Sequence, residues 1–222
     1  MTTTTLSAST TTTGVAIESG NDGTLTVKVG ATAGSQITGL ALDASGNAAV
    51  TGTITQGGIA SGRMVLETAK ATTSGTSIDF TGIPSWVKRI TVMLSGVGTN
   101  GTSQMLTQLG SGSVTTTGYS CRTTSINGAS LTNANSNSNG FGVNTSGNAV
   151  AAGVNTGQII FSLLTSNTWV ACGSTHDNTS ATVQFIQAGL IALSGTLDRL
   201  RITTVNGTDT FDSGSVNLLY EG

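Results

Sequence analysis

From about Ser61 onward the apolar residues fall into nine short runs: Met64 to Lys70, Ser77 to Phe80, Val87 to Leu94, Gln104 to Gln108, Gly157 to Leu164, Thr168 to Cys172, Val183 to Leu193, Leu200 to Val205 and Val216 to Tyr220. Each is bounded by turn-forming residues. Runs this short, built from Val, Ile, Thr and aromatic residues, make strands and are too brief for core helices. Asn-Gly pairs at Asn100-Gly101, Asn127-Gly128, Asn139-Gly140 and Asn206-Gly207 mark hairpins or loops, because both residue types tolerate positive φ. Thr, Ser, Asn and Gly make up about half of the chain and only 8% of residues are charged, which disfavours helix without imposing disorder. The expected fold class is all-β. Nine strands over residues 61–222 at this spacing predict an antiparallel β-sandwich of jelly-roll type, with little helix.

Strand signals thin out between Ser111 and Gly157, and Asn133 to Gly140 is nearly pure Asn and Ser, so long surface loops are expected there. Two further zones precede the sandwich. Residues 1–20 form a Thr- and Ser-rich stretch with too little apolar surface to order alone, and read as an extended, flexible anchoring arm. Residues 21–60 alternate thin strand pieces with turn clusters, carrying Leu25, Val27, Val29, Leu40, Leu42, Val50 and Ile54 at the apolar positions. So few large aliphatics do not offset the entropy of ordering the segment, and one copy has nothing to bury them against. The segment is therefore expected to be a short intertwined β stalk that packs, through those seven residues, on copies of itself.

A net charge of −2 and scattered Lys and Arg leave no basic footprint for nucleic acid or for an anionic membrane. Met1 to Gly14 has neither a basic start nor an apolar core, so no secretory signal is expected, and no apolar stretch approaches a bilayer span. Cys121 and Cys172 could form a disulfide or stay reduced, and their spacing is not that of a metal site.

Several residues invite a catalytic reading. His176 follows Cys172 and precedes Asp177, the residue types of a nucleophile and base, yet Cys172 to Ser180 reads better as a polar turn between strands. Two carboxylates in a groove would suit glycan cleavage. Asp209 and Asp212 instead flank Phe211 in a turn, where they cap backbone, and Asp198 beside Arg199 and Arg201 reads as a surface ion pair. Trp86 and Trp169 lie in apolar surroundings and are expected in the core, Trp86 closing the turn begun by Pro84. In Val87 to Leu94, Ile90, Val92 and Leu94 should face inward, with Arg89, Thr91 and Met93 outward. No catalytic residue, metal ligand or cofactor site is expected.

The run Thr76-Ser-Ile-Asp-Phe-Thr-Gly-Ile-Pro-Ser-Trp-Val-Lys-Arg-Ile-Thr-Val92, the later Asn100-Gly-Thr and the ending from Gly195-Thr-Leu-Asp-Arg-Leu-Arg to Tyr220 resemble a β domain of tailed-bacteriophage virion surface proteins, the trimeric head-fibre, decoration and tail-fibre proteins. Leu40-Ala-Leu-Asp-Ala-Ser-Gly-Asn-Ala-Ala-Val-Thr-Gly-Thr53 is similar to the short repeats that precede such domains. The resemblance implies a homotrimer with a stalk and a globular head, made in the bacterial cytoplasm without a leader and carried on the virion surface. It implies a non-enzymatic capsid decoration or head fibre that docks through the arm on the major capsid protein or on a tail or adaptor protein. The alternative it implies is a receptor-binding tail fibre, with Asn133, Asn135, Asn137 and Asn139 as loop residues contacting a host surface glycan.

Overall fold

The computed structural model describes residues 63–179 and 182–222 in full and, before residue 63, the backbone of six strands; residues 1–13, 20–24, 31–36, 43–47, 51–54, 57–58, 61–62, 180 and 181 lie outside the described residues. The chain divides into two units, Met1–Gly62 and Arg63–Gly222. In the first, β1 (Gly14–Ser19), β2 (Leu25–Gly30), β3 (Ile37–Leu42) and β4 (Ala48–Val50) pair in chain order as an antiparallel meander. The dipeptide strands β5 (Thr55–Gln56) and β6 (Ile59–Ala60) pair with each other. The stretch read as an arm up to residue 20 thus ends in a strand, because Val15 and Ile17 alternate with Ala16 and Glu18 and match the period of β2. Of the expected stalk residues, Ile54 lies outside the described residues.

The second unit is a β-sandwich. Its strands are β7 (Met64–Leu66), β8 (Lys70–Ala71), β9 (Ser77–Thr81), β10 (Arg89–Thr99), β11 (Met105–Ser111), β12 (Ser113–Val114), β13 (Ser120–Asn127), β14 (Ser130–Asn137), β15 (Phe141–Gly142), β16 (Val154–Thr165), β17 (Thr168–Asp177), β18 (Val183–Ala192), β19 (Arg199–Thr204) and β20 (Phe211–Glu221). One sheet has nine strands in the order β14-β13-β18-β17-β16-β10-β20-β7, with β8 also on β20; the other has five, β12-β11-β19-β9 with β15 on β11. Every pairing is antiparallel. Among the described residues no helix occurs.

The core lies where the two inner faces meet. On β10, Ile90 and Val92 are fully buried and Leu94 nearly so, and the register extends each into a row: Ile90 between Phe161 and Tyr220, Val92 between Ile159 and Leu218. Ile78, Phe80, Met105, Leu109, Leu200 and Ile202 answer from the five-stranded sheet. The expected inward set of β10 is therefore correct. Its outward set also holds, although Thr91 on the outer face is buried, flanked there by Ile160 and Leu219. Beyond Leu94 the strand changes register against both neighbours at a bulge around Gly96. Opposite it Gly214 has φ 89, and a Cβ there would sit 2.3 Å from the Gly96 carbonyl oxygen, so only glycine lets β20 pass. Trp169 is core, and Trp86 packs on its rim beneath the Arg63 guanidinium, 5.7 Å from the ring, within the turn in which Val87 N–H donates to the Pro84 carbonyl.

Eight of the nine sequence-derived strands are present as single strands, and the expected Met64 to Lys70 strand is split into β7 and β8 by three residues outside any strand; the 111–157 stretch is not the run of loops expected. It forms the hairpin β13–β14, two strands of eight residues joined around Asn127-Gly128 with Gly128 at φ 60, and the short β12 and β15. The inward residues of β13 are Cys121, Thr123 and Ser125, so the period of two is there without the aliphatic residues that announce it. Cys172 to Asp177 is likewise no turn but the second half of β17, whose inner positions there are Gly173, Thr175 and Asp177.

Tyr119 enters the core ahead of β13. Its ring meets Phe141 edge-on at 5.1 Å, and Phe141 meets Phe161 at 5.2 Å, a chain of rings from one sheet to the other. Its hydroxyl accepts from Leu109 N–H at 2.8 Å and donates to the Thr115 carbonyl at 2.9 Å. Burial pushes the Tyr119 phenol well above its ordinary value of 10.0, against a smaller lowering from the Leu109 backbone bond. Burial does the same at Tyr220, helped by the Glu67 charge. These are the only tyrosines in the chain. A phenol whose folded value is raised stabilises the fold fully below the unfolded value and loses that contribution as pH rises through the folded one. Stability should hold up to about pH 10 and then fall by up to about 1.4 kcal/mol per pH unit for each tyrosine. Urea unfolding between pH 8 and 12, about the ordinary phenol range, checks this, and phenolate absorbance should appear only as the chain unfolds.

Candidate functional site

Asn133, Asn135 and Asn137 sit on β14 and not in a loop, which corrects their expected setting. They alternate with Ala134 and Ser136 and share the side of the strand turned toward segment 143–148. Asn133 Nδ2 donates to Asn148 Oδ1 at 2.9 Å. Asn135 Nδ2 donates to Ser146 Oγ at 2.8 Å and its Oδ1 accepts from Ser146 N–H at 2.9 Å. Asn137 is buried, and its Nδ2 donates to Gln104 Oε1 at 3.0 Å. Gln104 Nε2 in turn donates to the Asn144 carbonyl, while Asn144 Oδ1 accepts from Met105 N–H at 2.9 Å. Only Asn139, in the bend before β15, is a loop residue as expected, and its carbonyl accepts from Gln108 Nε2 at 2.7 Å.

These ties close the polar end of the sandwich and leave a groove of about 410 Å³ along it, lined by Thr102, Ser103, Gln104, Asn135, Ser138 and Ser146 among others. Its polar side chains are hydroxyls and amides without formal charge. A larger groove of about 610 Å³ lies beside it between β13, β14 and β18, where Arg122 donates to Ser136 Oγ at 2.9 Å. Gln104, Asn144 and Asn148 were not singled out by sequence reasoning. The one signal was their residue type, uninformative in a chain this rich in amides and hydroxyls.

The geometry separates the residues that invited a catalytic reading. Along β17, Cys172 and His176 point to the outer face and lie four residues apart, roughly 13 Å. Asp177 points to the inner face and accepts from Thr179 N–H at 2.9 Å, so it cannot orient His176, whose Nδ1 lies 3.0 Å from the Val183 carbonyl. Both thiols are free, Cys121 buried on the inner side of its strand and Cys172 exposed. Burial pushes the Cys121 thiol up, with smaller opposing effects from Gly142 and Thr123. Asp209 caps backbone, accepting from Ser103 N–H at 2.9 Å and from Asn206 Nδ2 at 2.6 Å. Asp198 grips Arg199 at 2.8 and 3.1 Å, which with the Gly112 N–H bond holds its carboxyl below the usual range. Arg201 turns away from it to a bidentate pair with Asp79 at 2.6 and 2.8 Å. Among the described residues, no three His, Cys, Asp or Glu side chains gather closely enough to share a metal ion.

In the first unit the register sets Leu25 opposite Leu42, Val27 opposite Leu40 and Leu40 opposite Val50, with Val29 opposite Ile37. The expected stalk positions that lie in described strands thus occupy common cross-strand rows. Comparison with protein-family models, with curated proteins and with solved structures finds no match to this chain.

Asn137→Ala removes a buried donor and strands Gln104 Oε1, and should cost about 1–3 kcal/mol. Asn135→Ala gives up two hydrogen bonds to Ser146 at the open side of the groove, where water replaces them, and should cost less, about 0.5–1 kcal/mol. Urea unfolding with an unchanged m-value distinguishes the two.

Proposed function

We propose that this chain is a non-enzymatic structural protein of a tailed-phage virion, a homotrimeric capsid decoration or head-fibre protein on the virion surface, made in the bacterial cytoplasm. In this reading residues 1–20 anchor it to the major capsid protein or to a tail or adaptor protein. Residues 21–60 are the stalk in which chains associate, and residues 61–222 are the projecting head. The observation that carries it is the register of the meander, which draws Leu25, Val27, Leu40, Leu42 and Val50 into common rows. A small sheet with one apolar side is marginal in water until that side is covered, and identical chains supply a matching side. The sequence resemblance to phage fibre domains supports the same assembly. A head of jelly-roll type is favoured by the way successive strands change sheets at β9 to β10 to β11 and again at β18 to β19 to β20.

The second reading, a receptor-binding tail fibre that touches a host surface glycan, is favoured by the uncharged groove beside β14, whose hydroxyls and amides suit a neutral polyol. Copy number separates the two: a decoration protein is present at tens to hundreds of copies per particle, and a tail fibre at about three to eighteen, in multiples of three.

Sedimentation of the full chain should give a trimer, and deleting residues 1–20 should leave that trimer folded while abolishing its incorporation into particles. Incorporation of the truncated chain at the parent level would overturn the anchoring role, and a monomer at micromolar concentration would overturn the assembly itself.

A further inference from the structure

We propose that β7, the edge strand opening the second unit, is a contact between the sandwich units of neighbouring copies of this chain, each copy covering Met64 and Leu66 of the next. The inference rests on the self-associating reading of residues 21–60. Met64, Val65 and Leu66 are 68%, 43% and 63% exposed, three large apolar residues in succession. A soluble sheet edge is ordinarily blunted by charge, proline or a bulge, and a run of exposed apolar residues is tolerated where something covers it. β7 is short, which limits the edge, but its three residues carry no charge, proline or bulge. The opposite edge strand of the same sheet, β14, is polar apart from Leu131 and Ala134. Leu66 lies opposite Leu219, so the apolar surface continues onto β20. Arg63 and Glu67 flank the strand, and Arg63 turns its guanidinium onto its own Trp86, so the charge lies at the ends of β7 and leaves its three apolar side chains uncovered.

The association proposed for residues 21–60, together with chain continuity, points to another copy as the occupant. β7 follows the boundary at Gly62 and Arg63 directly. Ten residues separate Met64 from Ile54, a span of at most about 36 Å. Copies that associate through residues 21–60 therefore hold their β7 strands at an effective concentration of order millimolar. At that concentration a patch too small to drive association between free molecules is nevertheless occupied. Each copy brings the same three side chains, so the contact repeats around the assembly without a second kind of partner.

The test uses the full chain with Cys172→Ser, in which Cys121 is buried and unreactive. A spin label is placed at Leu66→Cys or, for reference, at Leu131→Cys on the far edge of the sheet, where the side chain is 74% exposed. The expected result is a trimer with a shorter inter-copy distance at 66 than at 131. In addition, Met64→Glu with Leu66→Glu should raise the concentration at which the trimer dissociates at least tenfold without changing the circular dichroism spectrum. A trimer whose distance at 66 equals or exceeds that at 131 overturns the contact and leaves the trimer standing. A double variant that dissociates like the parent also overturns it, as does one that loses the sandwich fold because β7 is covered within its own chain. A monomeric parent overturns both the contact and the association it rests on.

Discussion

The sandwich depends on one buried layer, the aliphatic row that β10 shares with β16 and β20. Ile90, Val92 and Leu94 are inaccessible because strands pair on both sides and the five-stranded sheet closes over them. Fully burying each such side chain contributes about 1.5–3 kcal/mol, more than a typical hydrogen bond or an exposed ion pair. The layer also fixes register, since a one-residue slip of β10 would drive Arg89 and Met93 inward and expose all three aliphatics. The bulge at Gly96 ends this regular stretch, and the glycine at position 214 lets β20 follow the same bend. The chain returns to β10 at its very end, so residues 211–221 complete the core that residues 89–99 begin.

Away from that layer the interior changes character. Toward β13 and β14 the inner positions pass to Thr123, Ser125, Gln104, Asn137 and Thr175, all buried. A buried amide or hydroxyl costs stability unless its partner is supplied. Here segment 143–148 supplies several of them, being gripped by Asn133, Asn135, Gln104 and Thr175. The Asn-rich strand thus spends one side of its side chains on holding the domain together, and what it offers to a ligand is the rim left between Asn135, Ser138 and Ser146. Such a network specifies one arrangement more sharply than an apolar end would, because a shift of any member leaves others unpaired.

The nine apolar strands were legible because alternation of large aliphatics with polar residues is a direct image of a two-sided sheet. The hairpin β13–β14 was not, for the same reason inverted: Cys121, Thr123 and Ser125 keep the period of two but replace hydrophobicity by hydrogen bonding. Asn127-Gly128 did mark its turn, and reading the eight residues on each side as strands would have followed from it. The second half of β17 was hidden by Gly173, Ser174 and Thr175, turn formers that here sit in a ladder between β16 and β18. Of the candidate site, residue types were legible and directions were not. Nothing in the spacing of Asn133, Asn135 and Asn137 says that the first two turn toward Asn148 and Ser146 and the third toward Gln104, which is a property of the tertiary path.

Scarcity of charge bears on the assembly we propose. Only 8% of the residues are charged, and Asp79 and Asp198 are already paired with Arg201 and Arg199. Long-range steering needs clustered unpaired charge, so encounters between copies gain little speed from electrostatics and lose little to added salt. Contacts built from aliphatic rows and hydroxyl-rich surfaces form slowly, and once formed they persist across ionic strengths. Those are poor properties for a partner that must bind and release, and suitable ones for a component set in place once. For that reason the low charge favours the structural reading of this chain over a transient one.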